Sequence, residues 1–115
     1  MRIVTILLFC AAAMFGADVT GNWKFEVQTD GGGGSPSFAL KQNGEKLTGT
    51  YTGLFGTLPV NGSVKGDAIE IELDVTYEGT KGKVRYSGKI ESAQKMSGKV
   101  VFENLGSGTF TATKQ

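Results

Sequence analysis

Ile69-Glu70-Ile71-Glu72-Leu73-Asp74-Val75-Thr76-Tyr77 alternates apolar and polar residues without a break. Successive side chains of a strand point to opposite faces, so this segment carries an apolar face (Ile69, Ile71, Leu73, Val75, Tyr77) and a wet one (Glu70, Glu72, Asp74, Thr76). The same period of two runs outward from it in both directions. Upstream lie Trp23/Phe25/Val27, Phe38/Leu40/Gln42, Leu47/Gly49/Tyr51 and Val60/Gly62/Val64. Downstream lie Val84/Tyr86/Gly88/Ile90, Met96/Gly98/Val100/Phe102 and Gly108/Phe110/Ala112. No segment after Asp18 shows a convincing helical period. The reading is all-β, with eight strands that are each apolar on one face only.

The connections carry turn chemistry. Asn43-Gly44, Gly66-Asp67, Glu78-Gly79 and Asn104 near Gly106 supply residues that tolerate positive φ in tight hairpins. Two connections read as longer hairpin loops, Asp30-Gly31-Gly32-Gly33-Gly34-Ser35-Pro36 and Gly53-Leu54-Phe55-Gly56-Thr57. An internal repeat, bulky–x–Gly–x–bulky, recurs around Gly49, Gly62, Gly88 and Gly98, with a partial copy around Gly108. Alternation turns each of these glycines inward. Glycine inside a strand marks a sharp bend or a close approach, and a small barrel needs both. The expectation is an eight-stranded antiparallel up-and-down β-barrel, with a two-sheet β-sandwich as the alternative. Antiparallel order puts the two longer loops at one end, an open lip, while Trp23 and Lys114 share the short-hairpin end, the floor.

The chain has 115 residues, enough for one domain, with 12 Lys+Arg against 11 Asp+Glu, one Cys and no His. Absence of His excludes Ser-His-Asp and Cys-His catalysis and every His-liganded metal centre. One Cys excludes an internal disulfide and a Cys₄ metal site. Near-neutral charge argues against a nucleic-acid partner. Residues 1–17 read as a signal peptide: Met1-Arg2, an apolar run from Ile3 to Phe9, then Cys10-Ala11-Ala12-Ala13. Cleavage after Ala13 or after Ala17 removes Cys10 and Arg2 and leaves a neutral chain. Leu7-Leu8-Phe9-Cys10 has the outline of a lipobox, an alternative that the bulky Phe9 disfavours. The expected product is a single barrel domain, 18–115, periplasmic or extracellular, monomeric, and not inserted in a membrane after cleavage.

Thr20-Gly21-Asn22-Trp23 at the first strand resembles the Gly-x-Trp opening of lipocalins and their calycin relatives. That resemblance implies a lipocalin-like barrel whose floor Trp23 closes, with Lys114 of the last strand packed over the indole. Leu47-Thr48-Gly49-Thr50-Tyr51 resembles the matching segment of avidin-type proteins. Only Tyr51 of that pocket transfers, because Phe25 and Gly53 stand where polar residues belong, so biotin is not the implied ligand. The chain from Asp18-Val19-Thr20-Gly21 to Gly108-Thr109-Phe110-Thr111-Ala112-Thr113-Lys114 is also similar to small exported bacterial proteins. This likeness implies fold and location rather than a chemistry.

Candidate chemistry follows from these placements. Glu70, Glu72 and Asp74 alternate on the wet face, which makes them solvated partners for Lys81, Lys83, Arg85 and their neighbours rather than glycosidase acids. Gly31–Gly34 lacks the Gly-Lys-Ser/Thr ending and the helix of a phosphate loop. Leu54 and Phe55, in a glycine-flanked loop, either fold inward as a plug or present an apolar contact. Tyr51, Tyr77 and Tyr86 face inward near the lip and are either core girders or pocket lining. No catalytic, metal or cofactor site is expected. The leading reading is an exported non-enzymatic barrel that binds a small apolar or aromatic ligand through Phe38, Tyr51, Leu54, Phe55, Tyr77 and Phe102. The alternative is a solid-core structural or protein-interaction module of the cell envelope, inhibitor-like in its action. A lip-accessible cavity above about 300 Å³ separates the two.

Overall fold

The computed structural model describes residues 18–104 and 106–115; the expected signal peptide, 1–17, and Leu105 lie outside them. All elements among the described residues are strands: β1 (Gly21–Thr29), β2 (Gly32–Gly34), β3 (Ser37–Asn43), β4 (Lys46–Gly53), β5 (Gly56–Lys65), β6 (Ala68–Tyr77), β7 (Thr80–Ser92), β8 (Lys95–Phe102) and β9 (Gly106–Lys114). From β3 onward each strand pairs antiparallel with the next, and β9 returns to β1 from Gly108↔Thr29 to Lys114↔Trp23. That last ladder closes the sheet on itself, so the fold is an eight-stranded up-and-down barrel of lipocalin/calycin-like type and not a sandwich.

Nine segments make eight strands because β2 and β3 meet β1 in one register. Thr29↔Gly32, Val27↔Gly34, Lys24↔Ser37 and Gly21↔Leu40 all belong to it. Ser35-Pro36 interrupts this single strand, since Pro36 has no N–H to add to a ladder. Its carbonyl still accepts a hydrogen bond from the Phe25 amide at 2.9 Å.

Both longer loops therefore prove tighter than the sequence reading. The first hairpin turns at Asp30-Gly31, and the glycine run continues as strand. The third turns at Leu54-Phe55, with Gly53 paired to Gly56. Gly32 (φ +123°) and Gly56 (φ +98°) absorb the reversal that follows each turn. At Glu78-Gly79 both central residues have positive φ, 52° and 83°, as a type I′ hairpin turn requires.

The alternation holds strand by strand. Trp23, Phe25, Phe38, Leu47, Ile69, Ile71, Val84, Met96 and Val100 are fully buried, while Glu70, Asp74, Arg85 and Lys99 face solvent. On the outside, the Glu72 carboxylate accepts a hydrogen bond from Arg85 Nε at 2.8 Å, and Lys83 Nζ lies 3.1 Å from Asp74. These are the cross-strand charge pairs expected of the wet face.

Candidate functional site

The barrel interior is divided by height. At the floor, Trp23 Nε1 donates to the Val19 carbonyl at 2.8 Å, and Lys114 Nζ stands 6.0 Å from the Trp23 ring centroid. The Lys114 stem runs close over Gly21, where a side chain would collide with it. Trp23 and Lys114 thus sit together at the floor end of the barrel.

Mid-barrel is filled by rings. Phe25 stacks on Phe110 with centroids 5.1 Å apart and lies 4.2 Å from Phe38. Tyr86 meets Phe25, Phe38 and Phe110 edge-on at 5.3–5.4 Å. Each such pair contributes roughly 0.5–1.5 kcal/mol beyond its buried area.

The inward glycines belong to this solid zone. Gly88 and Gly98 face each other across β7 and β8, and the Phe110 ring lies over Gly88. A methyl at Gly49, Gly62, Gly88, Gly98 or Gly108 would run into the backbone of the neighbouring strand. Their space is taken by neighbouring strands coiling close together, the close approach that glycine inside a strand marks, and none of it is left for a ligand.

Above the rings the barrel is hollow. A cavity of about 540 Å³ opens at the lip between the first and third hairpins. Gly31–Gly34 and Pro36 form one side, Tyr51, Leu54 and Phe55 another, with Tyr77 and Phe102 opposite and Tyr86 at its base. The third-hairpin pair divides its labour. Leu54 stays 80% exposed, whereas Phe55 turns in over the mouth, 5.9 Å from Tyr77, 6.2 Å from Tyr51 and 6.4 Å from Phe102.

Five of the six expected site residues, Tyr51, Leu54, Phe55, Tyr77 and Phe102, line this cavity. Phe38 does not: it is buried in the ring cluster, 5.4 Å edge-on from Tyr51, because the strand's inward positions below Pro36 are already in the packed zone. Two parts of the lining lie outside the expected set: the glycine hairpin Gly31–Gly34, which forms a wall, and Tyr86, inward near the lip as expected, which forms the base.

The tyrosine hydroxyls differ in their surroundings. Burial pushes the Tyr51 phenol up, partly offset by hydrogen bonds from the backbone of Phe55 and Leu54. Tyr51 therefore props the third turn from beneath. Burial pushes the Tyr86 phenol much further up, with the nearby Tyr51 adding to it. Tyr86 remains a protonated donor across the physiological range.

The barrel has a counterpart among solved structures. It is similar to a redesigned β-barrel, mFAP1, bound to DFHBI, with a TM-score of 0.65 at 14% identity over 84% of this chain and 94% of that one. At that identity the likeness speaks for the fold. No protein-family model and no curated protein matches the sequence.

Around the seam next to the site, the ladder between β5 and β6 covers only Asn61–Lys65 against Ala68–Glu72. It stops two residues short of Pro59, whose other neighbour, Thr50 of β4, stays in register. Proline in a sheet sits where no ladder bond is asked of it, so the lip half of β5 presents an edge. Phe55 and Leu58, both partly buried, pack against the core beside this seam.

Proposed function

We propose that the protein is a non-enzymatic binder of a small, uncharged, apolar or aromatic molecule, held in the lip cavity. One observation carries the reading: a hollow of about 540 Å³ lined by five aromatic rings of the lip and base and by bare glycine backbone, with no charged side chain among the lining residues. Small-molecule sites span about 300–1,000 Å³ and are mostly apolar with a few placed polar groups. Glycine backbone lets a flat ligand approach closely, and rings supply large contact area at little entropy cost.

The solid-core alternative fits only the floor and middle of this barrel, and the hollow lip favours a ligand. That a redesigned barrel of the same fold is bound to DFHBI supports the capacity of such a scaffold to hold a ligand. The Gly-x-Trp opening and the apolar segment 1–17 support a lipocalin-like binder acting in the periplasm or outside the cell.

Titration with Nile red, an uncharged planar dye, tests the proposal. The expected result is a saturable 1:1 rise in emission that weakens about tenfold in Phe55→Ala and is unchanged in Val101→Ala, an exposed outer-face control. No saturable rise, or equal effects of the two substitutions, overturns it.

A further inference from the structure

Every polar side chain lining the cavity is engaged or open to water except one. Thr29 Oγ1 donates to the Gly32 carbonyl at 2.6 Å, and Ser35 Oγ donates to Glu26 at 2.8 Å. The Tyr51 oxygen accepts from the third-turn backbone, and Tyr77 is 39% exposed at the rim. Tyr86 is 2% exposed, lines the base of the cavity, and no hydrogen bond to its hydroxyl is found among the described residues. A buried phenol ordinarily finds a partner. Its ring cannot swing to seek one, because Phe25, Phe38 and Phe110 clamp it edge-on at 5.3–5.4 Å.

We propose that the Tyr86 hydroxyl is the polar anchor of the site, donating a hydrogen bond to an acceptor oxygen on the buried end of the ligand. This rests on the binding reading above and narrows its ligand class to uncharged, planar aromatic carbonyl compounds. The apolar body lies between Phe55 and the glycine hairpin, with its carbonyl pointing down. An anionic acceptor would be buried with no cation among the lining residues to receive it, so a neutral oxygen is the fitting partner. An analogue without the oxygen leaves the hydroxyl buried and unpaired beneath an apolar group, which is how such sites discriminate.

The test is a matched pair of probes, 2-acetylnaphthalene and 2-ethylnaphthalene, titrated calorimetrically into the protein and into Tyr86→Phe. The ratio of their affinities cancels the general hydrophobic contribution when compared between the two proteins. The inference predicts that the acetyl-over-ethyl preference falls about tenfold in Tyr86→Phe, the size of one hydrogen bond. A preference unchanged by the substitution, with both probes bound, overturns the anchor and leaves the binding reading standing. Failure of both probes to bind the unsubstituted protein overturns the binding reading and the anchor with it. A second measurement is independent of the variant's folding. The ¹³C resonance of a carbonyl-labelled 2-acetylnaphthalene should move downfield on binding, as a hydrogen-bonded ketone does, and a value matching apolar solvent overturns the proposal.

Discussion

Replacing Gly88 by alanine tests how the barrel closes. Gly88 opposes Gly98 on β8, and Gly98 opposes Phe110 on β9, so three strands meet here with only one side chain between them. A methyl on Gly88 would stand 2.9 Å from Phe110 Cζ and collide with the Ser97 carbonyl. Neither neighbour can yield cheaply, because Phe110 is stacked on Phe25 and the carbonyl belongs to the ladder. Overpacking of this kind costs about 1–3 kcal/mol. Alanine recovers roughly 0.4–1 kcal/mol by restricting the unfolded chain. The net loss is about 1.5 kcal/mol, which lowers Tm by roughly 6–12 °C for a domain of this size. Gly34→Ala is the internal control. Nothing lies within 4 Å of a methyl there and its φ is not left-handed, so it should leave Tm unchanged or raise it slightly. Thermal unfolding followed by circular dichroism reads both. A Gly88→Ala protein as stable as the unsubstituted one would refute the claim that inward glycines exist to let strands coil against each other.

Tyr86→Phe should stabilise the ligand-free protein by about 1 kcal/mol, because it removes a buried hydroxyl with no partner among the described residues; a lower melting temperature contradicts that. Stability should also fall in alkali. The folded state holds Tyr86 and Tyr51 protonated above the ordinary value of 10.0, so their contribution is fully present below about pH 10 and is lost as pH rises beyond it. Absorbance titration of tyrosinate should show these two ionising together with unfolding, and Tyr51→Phe/Tyr86→Phe should flatten the dependence. Glu72→Gln, which breaks half-exposed pairs to Arg85 and Lys83, should cost less than about 1 kcal/mol, with the difference shrinking in high salt. A larger loss, insensitive to salt, contradicts the surface assignment.

Strand content and facing were legible because a side chain every second residue writes the period into the sequence. Ile69 to Tyr77 needed nothing else. Glycine erases that signal: Gly32–Gly34 has no side chains to alternate, so it read as a loop although its backbone pairs with β1. Gly53 and Gly56 hid the tightness of the third turn in the same way. Orientation of Gly49, Gly62, Gly88, Gly98 and Gly108 was also legible. What occupies the space beside them was not, because that depends on how closely the next strand coils, a property of the closed barrel. The site was half legible. Phe55 and Tyr51 announce themselves by residue type and position, whereas Phe38 looked equivalent and lies in the packed zone below. Pro59 went unread as a sign of the edge beside the site, although proline in mid-strand usually marks one. That Tyr86 finds no partner among the described residues is a fact of three-dimensional neighbours, and no pattern in the chain records it.

The central claim, that the hollow lip is a ligand site above a solid floor, is met most directly by mapping a ligand onto the protein. Amide and methyl NMR shifts followed during a 2-acetylnaphthalene titration should saturate and concentrate at Val27, Gly31–Gly34, Gly53–Phe55 and Tyr86. The Trp23 indole, Leu47 and Met96 should stay still. Shifts that never saturate, or that are largest on the charged outer face around Glu72 and Arg85, would contradict the account.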